Sequence, residues 1–160
     1  MTNRTPSADD EAGASPPAAD HARNFERVRE ARRREIAEDY VEMIAELAQA
    51  ADEVRTGHLA ERFGVSHATV TNHVQRLVGD GLVEDRPYQP LVLTEKGRRM
   101  ADRSRRRHVL VRDFLIALGV DPDTAEADTE GIEHHVSERT LQAFARFLEA
   151  RGGADEDGTP

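Results

Sequence analysis

The chain has 160 residues, a formal net charge of −9 and no cysteine, which excludes a disulfide framework, a zinc–thiolate site and a thiol nucleophile. Aromatic residues make up only 4% and Trp is absent, so a core must come from Leu, Val, Ile and Ala in one ordinary domain or two small ones. No apolar run approaches the ~18 to 20 residues that span a bilayer, and the first twenty residues lack a signal peptide's apolar stretch, so a cytoplasmic protein with no membrane partner is expected.

The charge is unevenly spread. Residues 55–107 carry eleven Arg and Lys against six Asp and Glu, while residues 35–54 carry seven acids and no base. Residues 108–160 carry four bases and twelve acids. A basic middle between acidic flanks suggests one anionic and one cationic partner.

Residues 1–20 are rich in Ala, Ser, Pro and Asp and predict a disordered tail, as do residues 152–160. From Ala22 to about Gln49, apolar residues recur at three- and four-residue steps, the helical period. Thr56 begins a second helix, to about Phe63. Gly64 allows a turn, and Ser66 is an N-cap for a third helix ending near Gly79. Leu82–Glu84 and Leu91–Leu93 are short strand candidates. Thr94 caps a helix that Gly119 stops after Leu118. Asp121 and Pro122 open another, expected to run to about His135. Ser137 caps the last, to about Ala150.

Helix, turn, helix and two strands, in that order, make a winged helix-turn-helix. Its second helix exposes polar side chains of a size that reads a DNA groove: Ser66, His67, Thr69, Thr71, Asn72, Gln75 and Arg76. The fold class is mainly α with a small β wing, an N-terminal winged helix-turn-helix followed by an all-helical domain.

A second constellation is acidic. Asp39 and Glu42 stand at i, i+3 and share a helix face. Glu130, Glu133 and His134 stand at i, i+3, i+4 on one expected helix, and His108 follows a run of arginines. Four carboxylates and two imidazoles without sulfur form a hard donor set that suits manganese or iron(II), and four carboxylates suffice to bridge two ions. His135 points to another face.

With those residues in view, the chain resembles the manganese-transport-regulator branch of the diphtheria-toxin-repressor family. The resemblance runs from about residue 23 to 150. It is carried by EDYVEMI at 38–44, LAERFGVSHATVTNHVQRL at 59–77, LVLTEKG at 91–97, RHVLVRDFLIALGV at 107–120 and DTEGIEHHVS at 128–137. It implies a homodimeric repressor, not an enzyme, that binds double-stranded operator DNA when metal is bound and controls manganese transport genes. The implied ligands are Asp39, Glu42, His108, Glu130, Glu133 and His134, with Mn2+ in a binuclear site; Fe2+ or another divalent metal is the alternative. The iron-sensing branch uses Met and Cys among its ligands, whereas this set is all carboxylate and imidazole. The implied domains are 21–95, winged helix-turn-helix, and 96–151, metal binding and dimerisation.

The wing departs from the family pattern. Gln89 and Pro90 stand where relatives have Arg-Gly, which leaves Arg86 as the wing's phosphate contact. His67 and Asn72 replace the commoner Pro and basic residue, so no operator sequence carries over. Rival readings are a winged-helix regulator indifferent to metal and a binuclear metallohydrolase. The second leaves the basic helix-turn-helix unexplained, and no small organic substrate is expected.

Overall fold

The computed structural model describes residues 18–50, 53–84, 86 and 89–156. Its contacts divide the chain into two units, Met1–Arg34 and Glu35–Pro160. In the first unit, the opening turns of α1 (Ala18–Ala50) carry exposed Arg27, Arg29, Arg32, Arg33 and Arg34.

The second unit continues with α2 (Thr56–Phe63), α3 (His67–Gly79), β1 (Val83–Glu84), β2 (Val92–Leu93), α4 (Glu95–Ala117), α5 (Pro122–Ile132), a 3-10 turn (Glu133–His135) and α6 (Glu138–Glu156). One apolar cluster joins Tyr40, Val41, Ile44 and Leu47 of α1 to Leu59 and Ala60 of α2 and Val70, Val74 and Leu77 of α3. Each fully buried Val, Leu or Ile there contributes about 1.5–3 kcal/mol. Helices as short as α2 are marginal alone, so this cluster is what holds the helix-turn-helix together. Tyr40 stacks on Phe63 at 4.5 Å between ring centroids, locking α1 to the end of α2.

Local chemistry sets the boundaries. Gly64 ends α2 at φ 64°, a left-handed conformation that costs glycine little. The Ser66 hydroxyl oxygen accepts from the Thr69 N–H at 3.1 Å and starts α3. β1 and β2 pair antiparallel, Val83 with Leu93 and Glu84 with Val92. Two strands of this length do not persist alone; Leu82, Val83, Leu91 and Leu93 are buried in the same cluster. Thr94 Oγ1 donates to the Gly81 carbonyl at 2.7 Å and accepts from the Gly97 N–H at 3.1 Å, so one side chain ties the wing's base to the start of α4.

In the helical half, Asp121 caps α5 and Pro122 opens it. Ser137 accepts from the Thr140 N–H at 3.2 Å and starts α6. Phe114 of α4 stacks on Phe144 of α6 at 3.8 Å and meets Phe147 edge-on at 5.3 Å.

Three boundaries differ from expectation. α1 begins at Ala18, inside the stretch 1–20 expected to be disordered, and α6 runs through 152–156 to Glu156, inside the stretch 152–160. Once a helix is nucleated, each further residue adds a hydrogen bond, so Ala-rich and even Gly-containing flanks extend it. The rest of those tails, 1–17 and 157–160, lies outside the described residues. The third difference matters most for function: the helix expected to reach His135 stops at Ile132 and tightens into the 3-10 turn.

Candidate metal centre and DNA-reading helix

The acidic half of α1 presents Asp39 and Glu42 one turn apart, as their spacing requires. α4 brings His108, α5 brings Glu126 and Glu130, and the 3-10 turn brings Glu133. With Glu46, Met43 and Phe63, these side chains line an open cleft of about 350 Å³. Five of the six residues expected to bind metal therefore meet in one place. The sixth, His134, adjoins it: its Nε2 lies 3.2 Å from Asp39 Oδ1 and 3.2 Å from Glu133 Oε1.

The 3-10 turn is the reason for that arrangement. On a continuous helix, Glu130, Glu133 and His134 would share a face. The tighter turn keeps Glu130 and Glu133 beside His108, at 3.7 Å and 3.1 Å from its Nδ1, and directs His134 toward α1. His135 is exposed.

Behind the cleft is a buried network that the sequence reading did not single out. Glu38 Oε2 accepts from Arg107 Nη2 at 2.6 Å and lies 3.0 Å from His134 Nδ1. Burial alone would raise the Glu38 carboxyl, but the hydrogen bonds from His134 and Arg107 outweigh it and hold the group down to about 2. The hydrogen bonds to Asp39, Glu133 and Glu38 push His134 up to about 11, against its burial. It is therefore an imidazolium among three carboxylates. Burial raises the Glu42 carboxyl; the Ser104 hydroxyl partly offsets this, and the nearby charges of Glu133 and Glu130 push it further up.

The donor chemistry fits a divalent cation. Six carboxylates line the cleft with a single imidazole, an excess of negative charge in a partly desolvated place. Glu133 Oε2 is buried without a hydrogen-bond partner; the nearby His108 Nδ1, at 3.1 Å, is off the line of a hydrogen bond. A buried carboxylate oxygen left without a donor is costly, and a cation held between that oxygen and the imidazole nitrogen satisfies both. One set of potential ligand atoms within 4.8 Å of one another comprises His108, Glu126 and Glu130. Glu126 was missed in the sequence, although it precedes Glu130 by one helical turn. Glu38 and Arg107 gave no such signal, because each read as part of a charged run.

The reading residues lie on and before α3. Ser66, His67, Thr71, Asn72, Gln75 and Arg76 are exposed and Thr69 is half-buried. Ser66 and Thr69 are engaged with each other, their hydroxyls 2.9 Å apart, and Thr71 Oγ1 donates to the His67 carbonyl at 2.9 Å. That leaves His67, Asn72, Gln75 and Arg76 with polar ends facing solvent. Arg86 pairs with Glu84 at 3.1 Å, both exposed, at the edge of the wing. Gln89 is exposed and closes a turn onto the Arg86 carbonyl at 3.0 Å.

Comparison with known proteins gives the family. Residues 34–91 match the family described as iron dependent repressor, N-terminal DNA binding domain, and residues 94–152 match iron dependent repressor, metal binding and dimerisation domain. The transcriptional regulator MntR of Escherichia coli O6:H1 is 46% identical over 133 residues, 83% of this chain and 86% of that protein.

The chain belongs to the iron-dependent repressor family.

It is a metal-dependent transcriptional repressor rather than an enzyme, with a DNA-binding domain and a domain for metal binding and dimerisation. MntR of Salmonella typhimurium is 43% identical, covering 86% of this chain and 87% of that one. Among solved structures, a manganese-dependent transcriptional repressor in complex with manganese is 37% identical, with a TM-score of 0.63 over 71% of this chain and 52% of that one. The manganese regulator SloR is 30% identical, with a TM-score of 0.62 over 71% of this chain and 53% of that one. The chain thus spans about half the length of these two solved chains. Among the described residues, no helix of this repressor is long and apolar enough to cross a membrane.

Proposed function

We propose that this repressor is a cytoplasmic, manganese-responsive homodimer that binds double-stranded operator DNA when its cleft holds metal, and that it controls manganese transport genes. The observation that carries this reading is the convergence of α1, α4, α5 and the 3-10 turn on one carboxylate-lined cleft, with the buried Glu133 Oε2 lacking a donor. Asp39, Glu42, His108, Glu130, Glu133 and His134 are the proposed ligands, and the four carboxylates are enough to hold two ions. The all-oxygen and imidazole chemistry favours Mn2+ or Fe2+ over metals that prefer sulfur. The 40–46% identity to regulators named MntR favours manganese.

When bound, the cation supplies positive charge that offsets the carboxylates of three separate chain segments, α1, α5 and the 3-10 turn. In its absence, Asp39 and Glu42 on α1 face Glu130 and Glu133, and this repulsion opposes close docking of α1 on the helical half. His134 partly replaces the cation by donating to Asp39 and Glu133. The proposed switch is a shift in how tightly α1 is tied, and so in the spacing of the two α3 helices of a dimer, which must be about 34 Å, one turn of B-DNA. Exposed Val109, Ile116, Leu118, Ile132 and Phe147 on α4 to α6 supply an apolar surface for dimerisation.

We place the DNA-binding half at 21–95 and the metal-binding and dimerisation half at 96–151. His67, Asn72, Gln75 and Arg76 are the proposed groove contacts. Ser66, Thr69 and Thr71 set the helix that carries them, and Arg86 is the proposed wing contact to phosphate.

The test is operator affinity at buffered free Mn2+ and Fe2+ for wild type and Glu133→Ala. The expected outcome is DNA binding that rises with Mn2+ in wild type and not in the variant. An equal metal response in both removes Glu133 from the sensor; no response to either ion in wild type removes the metal switch.

A further inference from the structure

We infer that Glu126 is a positioning residue for the metal centre: its carboxylate accepts a hydrogen bond from His108 Nε2–H, which keeps the proton on that nitrogen and leaves Nδ1 free to ligate. The inference rests on the reading of the cleft given above. A neutral imidazole carries one N–H and one lone pair, and whichever nitrogen finds an acceptor keeps the proton. His108 Nε2 lies 3.2 Å from Glu126 Oε1 in hydrogen-bonding geometry. Its Nδ1 faces Glu133 Oε2 at 3.1 Å and Glu130 Oε1 at 3.7 Å, but Glu133 Oε2 has no hydrogen bond. A proton on Nε2 therefore has a partner in line, and a proton on Nδ1 does not. The lone pair then points at the two carboxylates that complete the cleft.

Glu126 is itself held in place. It sits one turn before Glu130 on α5, and Arg112 Nη1 approaches its other oxygen at 3.9 Å. Ligating histidines commonly donate their second N–H to a carboxylate, and losing that partner typically weakens metal affinity about 10- to 100-fold. The competing arrangement makes Glu126 a direct ligand with His108 and Glu130, whose atoms lie within 4.8 Å of one another. It would place the ion on the Nε2 side and leave the buried oxygen of Glu133 still without a partner.

Two measurements on the full-length protein decide the matter. The first is nitrogen NMR of labelled histidine in metal-free protein at alkaline pH, with His108 assigned from its loss in His108→Asn. The Nε2–H tautomer is expected in wild type and a mixture in Glu126→Ala. The second is manganese chloride titration by calorimetry. Glu126→Ala is expected to bind about 10- to 100-fold more weakly, with an unchanged metal-free melting temperature. Glu126→Gln, which keeps an acceptor oxygen, is expected to recover to within a few-fold of wild type. An Nδ1–H tautomer in wild type, wild-type affinity in Glu126→Ala, or equal losses in Ala and Gln variants overturns the inference. If wild type fails to bind manganese, the functional reading falls, while the tautomer still decides the role of Glu126.

Discussion

His134 Nδ1 lies 3.0 Å from Glu38 Oε2, although ninety-six positions of sequence separate the two residues. The other ring nitrogen faces Asp39 and Glu133, and the three carboxylates together push the imidazole up to about 11. To ligate through Nε2, His134 must lose that proton. Its pKa in the fold is raised above the ordinary 6.5, so its contribution to metal-free stability is complete below about pH 6.5 and is lost as pH rises through about 11. Metal competes with the proton, so manganese affinity is expected to climb between about pH 6 and 9, approaching tenfold per unit. Calorimetry in buffers of different ionisation enthalpy should record close to one proton released for the ion that His134 binds. An affinity indifferent to pH would remove His134 from the ligand set.

The Glu38–Arg107 pair makes a separate prediction. Its atoms are 2.6 Å apart, with side chains 6% and 14% exposed, so it is a buried ion pair rather than a surface one. Removing one partner leaves a buried charge unpaired, which costs about 3–5 kcal/mol, whereas removing both with apolar groups of similar volume is often neutral. Glu38→Ala is expected to lose stability of that order in urea denaturation of the metal-free protein, and Glu38→Met with Arg107→Met to recover most of it. The Glu38 carboxyl is held at about 2, below its ordinary 4.5. Its contribution is therefore present above about pH 4.5 and lost as pH falls through about 2. A double variant no better than the single one would show that the pair's value lies in its geometry.

These two cases also mark where the sequence becomes opaque. The caps at Ser66, Thr94 and Asp121 and the apolar step along α1 are local, so composition and spacing are enough to find them. Asp39 and Glu42, or Glu130 and Glu133, are local pairs too, and their types announce a hard donor set. What spacing cannot show is a partner at a distance. Glu38 meets Arg107 across sixty-nine residues, and Arg107 in the sequence is one arginine among several. Nor was the break after Ile132 legible: His134 leaves the α5 face because Glu38 and Asp39 draw it toward α1, a tertiary cause that overrides the local period.

Gly97 carries a sharp test of the wing's attachment. A Cβ built there would collide with the Leu82 carbonyl oxygen and crowd Leu93 Cδ2. The obstacle is backbone, which cannot swing aside, so β1 and the start of α4 would have to separate. Gly97→Ala ordinarily favours a helix by up to about 1 kcal/mol. Here the overpacking cost of about 1–3 kcal/mol is expected to exceed that gain. Thermal unfolding should show a lower midpoint for the variant, and a raised midpoint would refute the close approach.

On α3, the exposed polar ends divide into two kinds of contact with different signatures. Gln75 and Asn72 carry amides able to pair with adenine in the major groove, and Arg76, one turn before Asp80, carries a charge suited to phosphate or guanine. Gln75→Ala is expected to cost about 1–3 kcal/mol on the operator and to relax selectivity at one base position. Arg76→Ala is expected to behave differently if it meets phosphate: affinity should fall to a similar extent on operator and random DNA, and the slope of log affinity against log salt should shrink by about one. Competition binding at several salt concentrations separates the two. A loss at Arg76 confined to the operator, with the salt slope intact, would move that arginine from the phosphates to the bases.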